Sequence, residues 1–185
     1  MKRLFIAVDI ELSDEFRALS QKLKHDLRND DILWVNSHLH HLTLRFLGET
    51  PETKIEPLVK IISTLTSSTQ AFELQLDKIG VFGSKYKPEV LWYGFSEFHL
   101  FKALFENLEK ELIKLEFQSS YGNFVPHITV GRIKKIDRKK SFWEIIESSQ
   151  PSFYQAIQVK NLKLIQSKLT NDGPIYKTLF DFILN

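Results

Sequence analysis

Two motifs, His41-Leu42-Thr43-Leu44 and His127-Ile128-Thr129-Val130, repeat one pattern of residue types in the two halves of the chain. Each contains a histidine, an aliphatic residue, a threonine and a second aliphatic residue. Successive side chains of a β-strand point to opposite faces, so the histidine and threonine of each motif share a face. The pattern therefore predicts two strands that each present an imidazole and a hydroxyl on one side and aliphatic side chains on the other.

These residue types suit acid–base chemistry at a phosphoryl group. An imidazole has an unperturbed pKa of about 6.5, so one histidine can take a proton from water while the other protonates a departing oxygen. Threonine hydroxyls can donate hydrogen bonds to the non-bridging oxygens. We predict that His41, Thr43, His127 and Thr129 form one catalytic set for phosphodiester chemistry that needs no metal ion and no other cofactor.

Less specific explanations exist for the same residues. A single histidine on a strand is usually a structural or surface residue, and threonine is common in strands for packing reasons. The matched pair of motifs favours the catalytic interpretation. The cluster of His38, His40 and His41 resembles a metal site, but no acid or second histidine pattern completes it.

Composition limits the class of protein. The chain has 185 residues, of which 43% are apolar, and a formal net charge of +2, which neither requires nor excludes a nucleic-acid partner. It has no cysteine, which excludes disulfides, thiolate metal sites and a cysteine nucleophile. The apolar run at residues 4–8 ends at Asp9, too early for a signal peptide, and no run approaches the roughly 18 apolar residues of a membrane span. We expect a cytoplasmic protein, monomeric and without a membrane segment.

Hydrophobic patterning predicts alternating strands and helices. Ser13 is a predicted N-cap, Thr50-Pro51 and Ser96-Glu97 are predicted helix starts, and Asp137 is predicted to cap a helix through Glu147. The remaining predictions are strands at 4–8, 32–35, 41–48, 72–76, 90–95, 127–132, within 153–169 and at 175–184, loops at 80–88 and 118–126, and a turn at Asn171-Asp172-Gly173.

The two halves share one order of elements: strand, helix, histidine-motif strand, helix, strand. The interval from Leu4 to His41 equals that from Val90 to His127, although the first half has an added strand at 32–35. Two copies related by a pseudo-two-fold axis would place both motifs in one cleft. We therefore predict one bilobal domain with an internal duplication across residues 1–185.

The motif pair resembles the signature of the two-histidine (2H) phosphoesterase superfamily, and more closely its RNA 2′,3′-cyclic phosphodiesterases, historically called 2′-5′ RNA ligases. Similar segments include residues 3–8, Trp34-Val35, the tail of the first motif to Glu49, and residues 167–176. The resemblance implies an α+β fold with two pseudo-symmetric lobes of antiparallel sheet, helices packed outside and a central cleft.

The implied reaction is metal-independent hydrolysis of a 2′,3′-cyclic phosphate at an RNA end or nucleotide to a 2′-phosphomonoester. By resemblance His41 is the acid and His127 the base, while Phe46 and Arg132 bind the nucleobase and phosphate. The alternatives are a 2′-5′ RNA ligase or other 2H activity at the same site, and a non-catalytic RNA-binding module. Basic runs at 85–87, 134–135 and 138–140 could guide an RNA backbone or be simply solvated.

Strict alternation conflicts with two of these assignments. It places Phe46 and Arg132 on the face opposite the histidines, so either the strands bulge or end after the fourth motif residue, or the assignments are wrong. Gly131 could permit a bulge before Arg132, but no glycine precedes Phe46. Arg45, which alternation places on the face of His41, is a rival phosphate contact.

Overall fold

The apolar runs of the sequence form nine strands and four α-helices in the part of the chain that the computed structural model describes, residues 1–120, 122, 124–170 and 173–185. The strands are β1 (Lys2–Asp9), β2 (Asp31–Trp34), β3 (His41–Thr50), β4 (Phe72–Gly83), β5 (Pro88–Phe95), β6 (His127–Lys135), β7 (Gln155–Val159), β8 (Asn161–Thr170) and β9 (Gly173–Ile183). The helices are α1 (Asp14–Asp26), α2 (Ile55–Ser67), α3 (His99–Lys114) and α4 (Lys139–Ser148), with short 3-10 turns at Ser37–Leu39 and Glu52–Lys54.

The strands form two antiparallel sheets. The first has the order β3-β1-β8-β9 and the second the order β2-β6-β5-β4-β7. Each motif strand pairs with the first strand of its own half, β3 with β1 and β6 with β5. The two motif strands also contact each other where the sheets meet. The fold therefore brings the two histidine motifs together.

The two halves exchange strands. Strands β2 and β4 come from the first half of the chain but lie in the second sheet, while β8 and β9 return from the end of the chain to the first sheet. Each sheet therefore contains segments from both halves.

One hydrophobic core joins the sheets and helices. It includes Ile6 and Leu44 of the first sheet, Leu91 and Val130 of the second, and buried residues of all four helices. Burying each such side chain contributes about 1.5–3 kcal/mol. The helices cover the core faces of the sheets, and the predicted bilobal α+β architecture is confirmed.

Helix α1 begins as predicted, but α2 does not. The hydroxyl of Ser13 accepts a hydrogen bond from the backbone N–H of Phe16, at 3.4 Å. Thr50, a predicted start of α2, is the last residue of β3, and its hydroxyl donates to the carbonyl oxygen of Gly48. A 3-10 turn follows, and α2 itself begins at Ile55.

The predicted starts of α3 and α4 are also wrong. The backbone N–H of Ser96 donates to Asp77 at the 2.8 Å distance of a normal hydrogen bond, which holds Ser96 against β4, and α3 begins at His99. The N–H of Asp137 likewise donates to Asp30, and the N-cap position of α4 is Arg138, with no side-chain cap. Long-range contacts of both residues thus override the local capping signal.

The β4–β5 connection is shorter than predicted. Strand β4 continues to Gly83, through much of the predicted loop at 80–88, and backbone hydrogen bonds between Ser84 and Lys87 close a tight turn. The segment 153–169 contains all of β7 and most of β8, so the prediction of one or two strands there is confirmed as two. Of the predicted turn, Asn171 and Asp172 lie outside the described residues, as do Tyr121 and Asn123 of the predicted loop at 118–126.

Candidate active site

A bulge in β3 changes which side chains of the first motif share a face. Thr43 lies opposite Ala7 of β1 and Arg45 opposite Ile6, so Leu44 is an extra residue in β3. After this bulge Phe46 lies opposite Phe5, a residue that shares the face of Ala7. His41, Thr43 and Phe46 therefore lie on one face of the first sheet.

The second motif has a bulge at the equivalent position. Thr129 lies opposite Trp92 and Gly131 opposite Leu91, so Val130 is the extra residue. Arg132 then lies opposite Val90, on the face of Trp92 and Thr129. The bulge that Gly131 could permit is therefore present, and the one in β3 forms without a glycine.

Arg45 lies on the opposite face from His41, so the expectation from simple alternation is wrong for this residue. Its Nε donates to the carboxylate of Glu109, a fully buried side chain of α3, and its Nη2 donates to the carbonyl oxygen of Gln118 at 2.5 Å. Arg45 ties β3 to α3, and the bulge at Leu44 is the reason that it turns away from the motif face.

The two motif histidines are held in the same way. The Nδ1 of His41 lies 2.8 Å from the carbonyl oxygen of Leu39, and the Nδ1 of His127 lies 2.9 Å from that of Val125. A carbonyl oxygen only accepts, so each Nδ1 carries a proton. Each Nε2, which has no partner among the described residues, can then act as an acceptor when the ring is neutral and as a donor when it is charged.

Burial lowers the pKa of both histidines. For His41 the hydrogen bond to Leu39 and the carboxylate of Asp9 raise the pKa in part, while the positive charges of His127 and Arg132 lower it further. For His127 the hydrogen bond to Val125 raises the pKa and the charge of Arg132 lowers it. The motif faces of β3 and β6 are therefore near enough to interact electrostatically.

Aromatic rings support both imidazoles. His41 packs against Phe5 and edge-on against Tyr176, with ring centroids 5.0 Å and 5.3 Å away. His127 packs edge-on against Phe82 at 4.7 Å. The ring of Trp92, which lies opposite Thr129 on the motif face, is 6.3 Å from that of His127.

Sequence reasoning missed these supporting aromatic residues. Tyr176 lies far from both motifs in the sequence and reaches His41 only through the β8–β9 pairing. Phe82 falls within the predicted loop at 80–88. Phe5 was predictable in part. Alternation along β1 puts Phe5 on the same face as Asp9, and Asp9 pairs with His41, so Phe5 lies on the motif face.

Other polar groups of the motif faces are available for a ligand. The hydroxyls of Thr43 and Thr129 are half-buried and have no hydrogen-bond partner among the residues that the structure describes. The guanidinium carbon of Arg3 lies 5.0 Å from the centre of the Phe46 ring, and its buried Nε is likewise unpaired in the described chain. Together with the exposed Arg132, these groups could bind an anion and an aromatic base.

No group of three or more His, Asp or Glu side chains suited to a metal ion occurs among the described residues. In the same part of the chain, no helix is long and apolar enough to cross a membrane.

The family model of LigT-like phosphoesterases matches residues 6–92 and 99–176, which include both histidine motifs. The chain belongs to this family. Among curated relatives, the RNA 2′,3′-cyclic phosphodiesterase of Methanocaldococcus jannaschii is 32% identical over 96% of this chain and 98% of its own length. The protein of that name from Thermotoga maritima is 33% identical, over 97% of this chain and 94% of the relative.

Solved structures of other proteins show a similar fold over nearly the whole chain. The crystal structure of TT0787 of Thermus thermophilus is similar with a TM-score of 0.79 and 28% identity, covering 98% of this chain and 97% of that one. E. coli LigT complexed with 3′-AMP is similar with a TM-score of 0.78 over 100% of this chain and 98% of that one, at 23% identity. The predicted membership of the 2H phosphoesterases is confirmed, and with it the prediction of a phosphodiesterase enzyme.

Proposed function

We propose that this LigT-like phosphoesterase hydrolyses 2′,3′-cyclic phosphate ends of RNA, or the corresponding nucleotides, to 2′-phosphomonoesters without a metal ion. Relatives about one-third identical across nearly the whole chain carry the name RNA 2′,3′-cyclic phosphodiesterase. The observation that carries the proposal is the matched pair of imidazoles. Each has its Nδ1 fixed by a backbone carbonyl and its Nε2 unpaired within the described chain, on two strands that meet.

The proposed reaction uses the two imidazoles in opposite protonation states. Neutral His127 accepts a proton from water at Nε2 as the water oxygen attacks phosphorus. The bond between phosphorus and O3′ breaks, and protonated His41 donates its Nε2 proton to O3′. The products are a 2′-phosphomonoester and a free 3′-hydroxyl, and exchange of protons with solvent restores both histidines.

The other groups of the motif faces stabilise and position the substrate. The hydroxyls of Thr43 and Thr129 donate hydrogen bonds to the non-bridging oxygens, whose negative charge increases in the transition state. The positive charge of Arg132 lowers the pKa of both histidines, so this residue is near enough to offset the negative charge on the phosphoryl oxygens. Phe46 offers an aromatic ring for the terminal base.

The proposal also covers the location of the protein in the cell, its oligomeric state and its domain organisation. We place the chain in the cytoplasm, as a monomer with one bilobal domain of duplicated origin. The shared core that joins both sheets supports a single domain.

The test is incubation with a nucleoside 2′,3′-cyclic phosphate in excess chelator, with chromatographic separation of the 2′- and 3′-phosphate products. We expect only the 2′-phosphate, and a loss of at least about a hundredfold in kcat for His41→Ala and for His127→Ala. His25→Ala, which removes an exposed histidine of α1, is the matched control and should retain the wild-type rate. Absence of turnover on both the nucleotide and a cyclic-phosphate-ended oligonucleotide would refute the function, and strict metal dependence would refute the mechanism.

A further inference from the structure

A groove leads away from His41 on the side opposite Phe46. Its first part is a cavity of about 650 Å³ between the motif face of the first sheet and residues 37–40, lined by His41 and Tyr176 among others. A second cavity of about 400 Å³ lies against helix α1. The two cavities share Leu12, Arg17, Ser37 and His40 in their linings, so they lie side by side, and we refer to the pair as the groove. Each is of the size that binds small ligands.

His40 lines both parts of this groove and is only 8% exposed. Neither of its ring nitrogens has a hydrogen-bond partner within the described chain. Burial, followed by the charges of His41, Lys24 and His38, lowers the pKa of His40 to about 4, so the ring is neutral at physiological pH. A neutral imidazole offers one donor and one acceptor, and leaving both unpaired in a buried position is unfavourable. A polar ligand in the groove could satisfy them.

The second cavity is lined by side chains of the types that contact nucleic-acid backbones in other proteins. Lys24 is exposed, makes no ion pair with a described residue, and has its Nζ 5.8 Å from the centre of the Trp34 ring. Gln21, Asn36 and Ser37 add amide and hydroxyl groups to the lining. Lysine, amide and hydroxyl groups of this kind make most protein contacts to phosphates and sugars.

The negative charges of the acidic side chains that line the groove are neutralised by nearby basic side chains. Asp9 forms an ion pair with Lys163, and Glu11 lies 3.3 Å from Arg17. The unpaired charge of Lys24 therefore gives the far end of the groove a positive character.

Building on the proposed function, we propose that this groove binds the nucleotide on the 5′ side of the terminal one, with its linking phosphate directed toward Lys24. The terminal base would lie toward Phe46, beyond the C-terminal end of the first motif. The groove lies at the N-terminal end of β3 and Phe46 lies further along the same strand. An RNA strand would therefore pass over His41 on its way from the groove to Phe46.

The proposal predicts a preference for RNA over a mononucleotide. Extra stacking and phosphate contacts should raise kcat/KM for a dinucleotide with a 2′,3′-cyclic phosphate end about 10- to 100-fold above that for the cyclic mononucleotide. Most of this difference should lie in KM, since the added contacts are remote from the reacting bonds.

The experiment measures the ratio of the two kcat/KM values in the wild-type protein and three variants. Lys24→Glu should lower the ratio at least about fivefold, because it places a negative charge where the linking phosphate binds. Lys22→Glu, two residues earlier on α1 and outside the groove lining, is the matched control and should leave the ratio unchanged. Thermal melting checks that both variants are folded.

Lys85→Glu, at the exposed tip of the β4–β5 hairpin, tests a different route for the RNA. A wild-type ratio near one, an equal loss in Lys24→Glu and Lys22→Glu, or a loss confined to Lys85→Glu would each overturn the groove assignment while turnover of the mononucleotide leaves the proposed function standing. Failure of both substrates would refute the proposed function, and the groove assignment with it.

Discussion

His41 donates its Nδ1 proton to the carbonyl oxygen of Leu39, two residues earlier in the chain, at 2.8 Å. His127 makes the equivalent bond to Val125 at 2.9 Å. In each case the residues just before the strand fix both the tautomer and the orientation of the ring. The two halves of the site therefore repeat the motif residues and also the backbone contacts that leave Nε2 as the ring nitrogen without a partner in the described chain.

The pH dependence of kcat/KM should be bell-shaped, with its maximum displaced to acid pH. The base acts when neutral, so activity rises with pH through its pKa. The acid acts when protonated, so activity falls with pH through its own pKa. Because burial lowers the pKa of both histidines, both limbs lie below the usual imidazole range. We expect a maximum below about pH 6.5, and a maximum well above neutrality would contradict the assignment.

Asp9→Asn should shift one limb of that profile to lower pH. The carboxylate of Asp9 raises the pKa of His41, and it is not among the groups that shift the pKa of His127. The limb that moves identifies the apparent pKa that belongs to His41.

Asp181→Asn is the control for this shift. It removes the second carboxylate beside Lys163, 3.9 Å from its Nζ, and leaves Asp9 in place. Its profile should overlay that of the wild type. Equal shifts in both variants would assign the effect to Lys163 in place of a direct interaction between Asp9 and His41.

Arg45→Ala should destabilise the fold more than it impairs catalysis. The partner, Glu109, is fully buried and also accepts a hydrogen bond from the N–H of Ser120. Removing Arg45 leaves this carboxylate unpaired in the interior, which lowers the free energy of unfolding by about 3–5 kcal/mol. Urea unfolding measures the loss. At a temperature where the variant is folded, its kcat/KM should be near that of the wild type.

A double variant separates the charge effect from lost packing. Arg45→Met combined with Glu109→Leu removes both charges and retains apolar volume, so it should recover much of the stability lost in Arg45→Ala. Wild-type stability with a large loss of activity in Arg45→Ala would instead restore Arg45 as a phosphate contact.

Much of this architecture is predictable from the sequence, because a strand or helix that buries one face carries a regular spacing of apolar residues. The apolar run at residues 4–8, the stripe of α1 and the two motifs all indicate their elements directly. The position of Arg45 is not predictable in this way, because one extra residue at Leu44 moves the side chains of Arg45 and Phe46 to the faces opposite those that alternation predicts. Gly131 signals the second bulge, but Leu44 gives no such signal.

The strand exchange between the halves is also invisible in the sequence. The matched order of elements suggests two self-contained lobes, yet β4 pairs with β5 and β7, and β8 pairs with β1. Pairing of strands so distant in sequence depends on tertiary packing, which local propensity does not encode. For the same reason Tyr176 and Phe82 could not be assigned to the histidines beforehand.

Gly80→Ala should impair catalysis through Trp92. A Cβ atom at Gly80 would lie 2.0 Å from Cζ2 of the Trp92 ring, and one at Gly94 would lie 2.5 Å from its Cζ3, so the indole occupies space that only glycines leave free. The displaced ring lies opposite Thr129 and beside His127. We expect kcat to fall about 10- to 100-fold, since small errors in the position of reacting groups have effects of this size.

Trp92→Phe in the Gly80→Ala background provides the decisive comparison. The smaller ring removes the collision, so the double variant should recover part of the lost kcat relative to Gly80→Ala alone. Trp92→Phe by itself sets the baseline for the double-mutant cycle. Additive losses would show that Gly80 acts independently of Trp92. Recovery would show that Gly80 leaves the space that the indole of Trp92 needs beside His127.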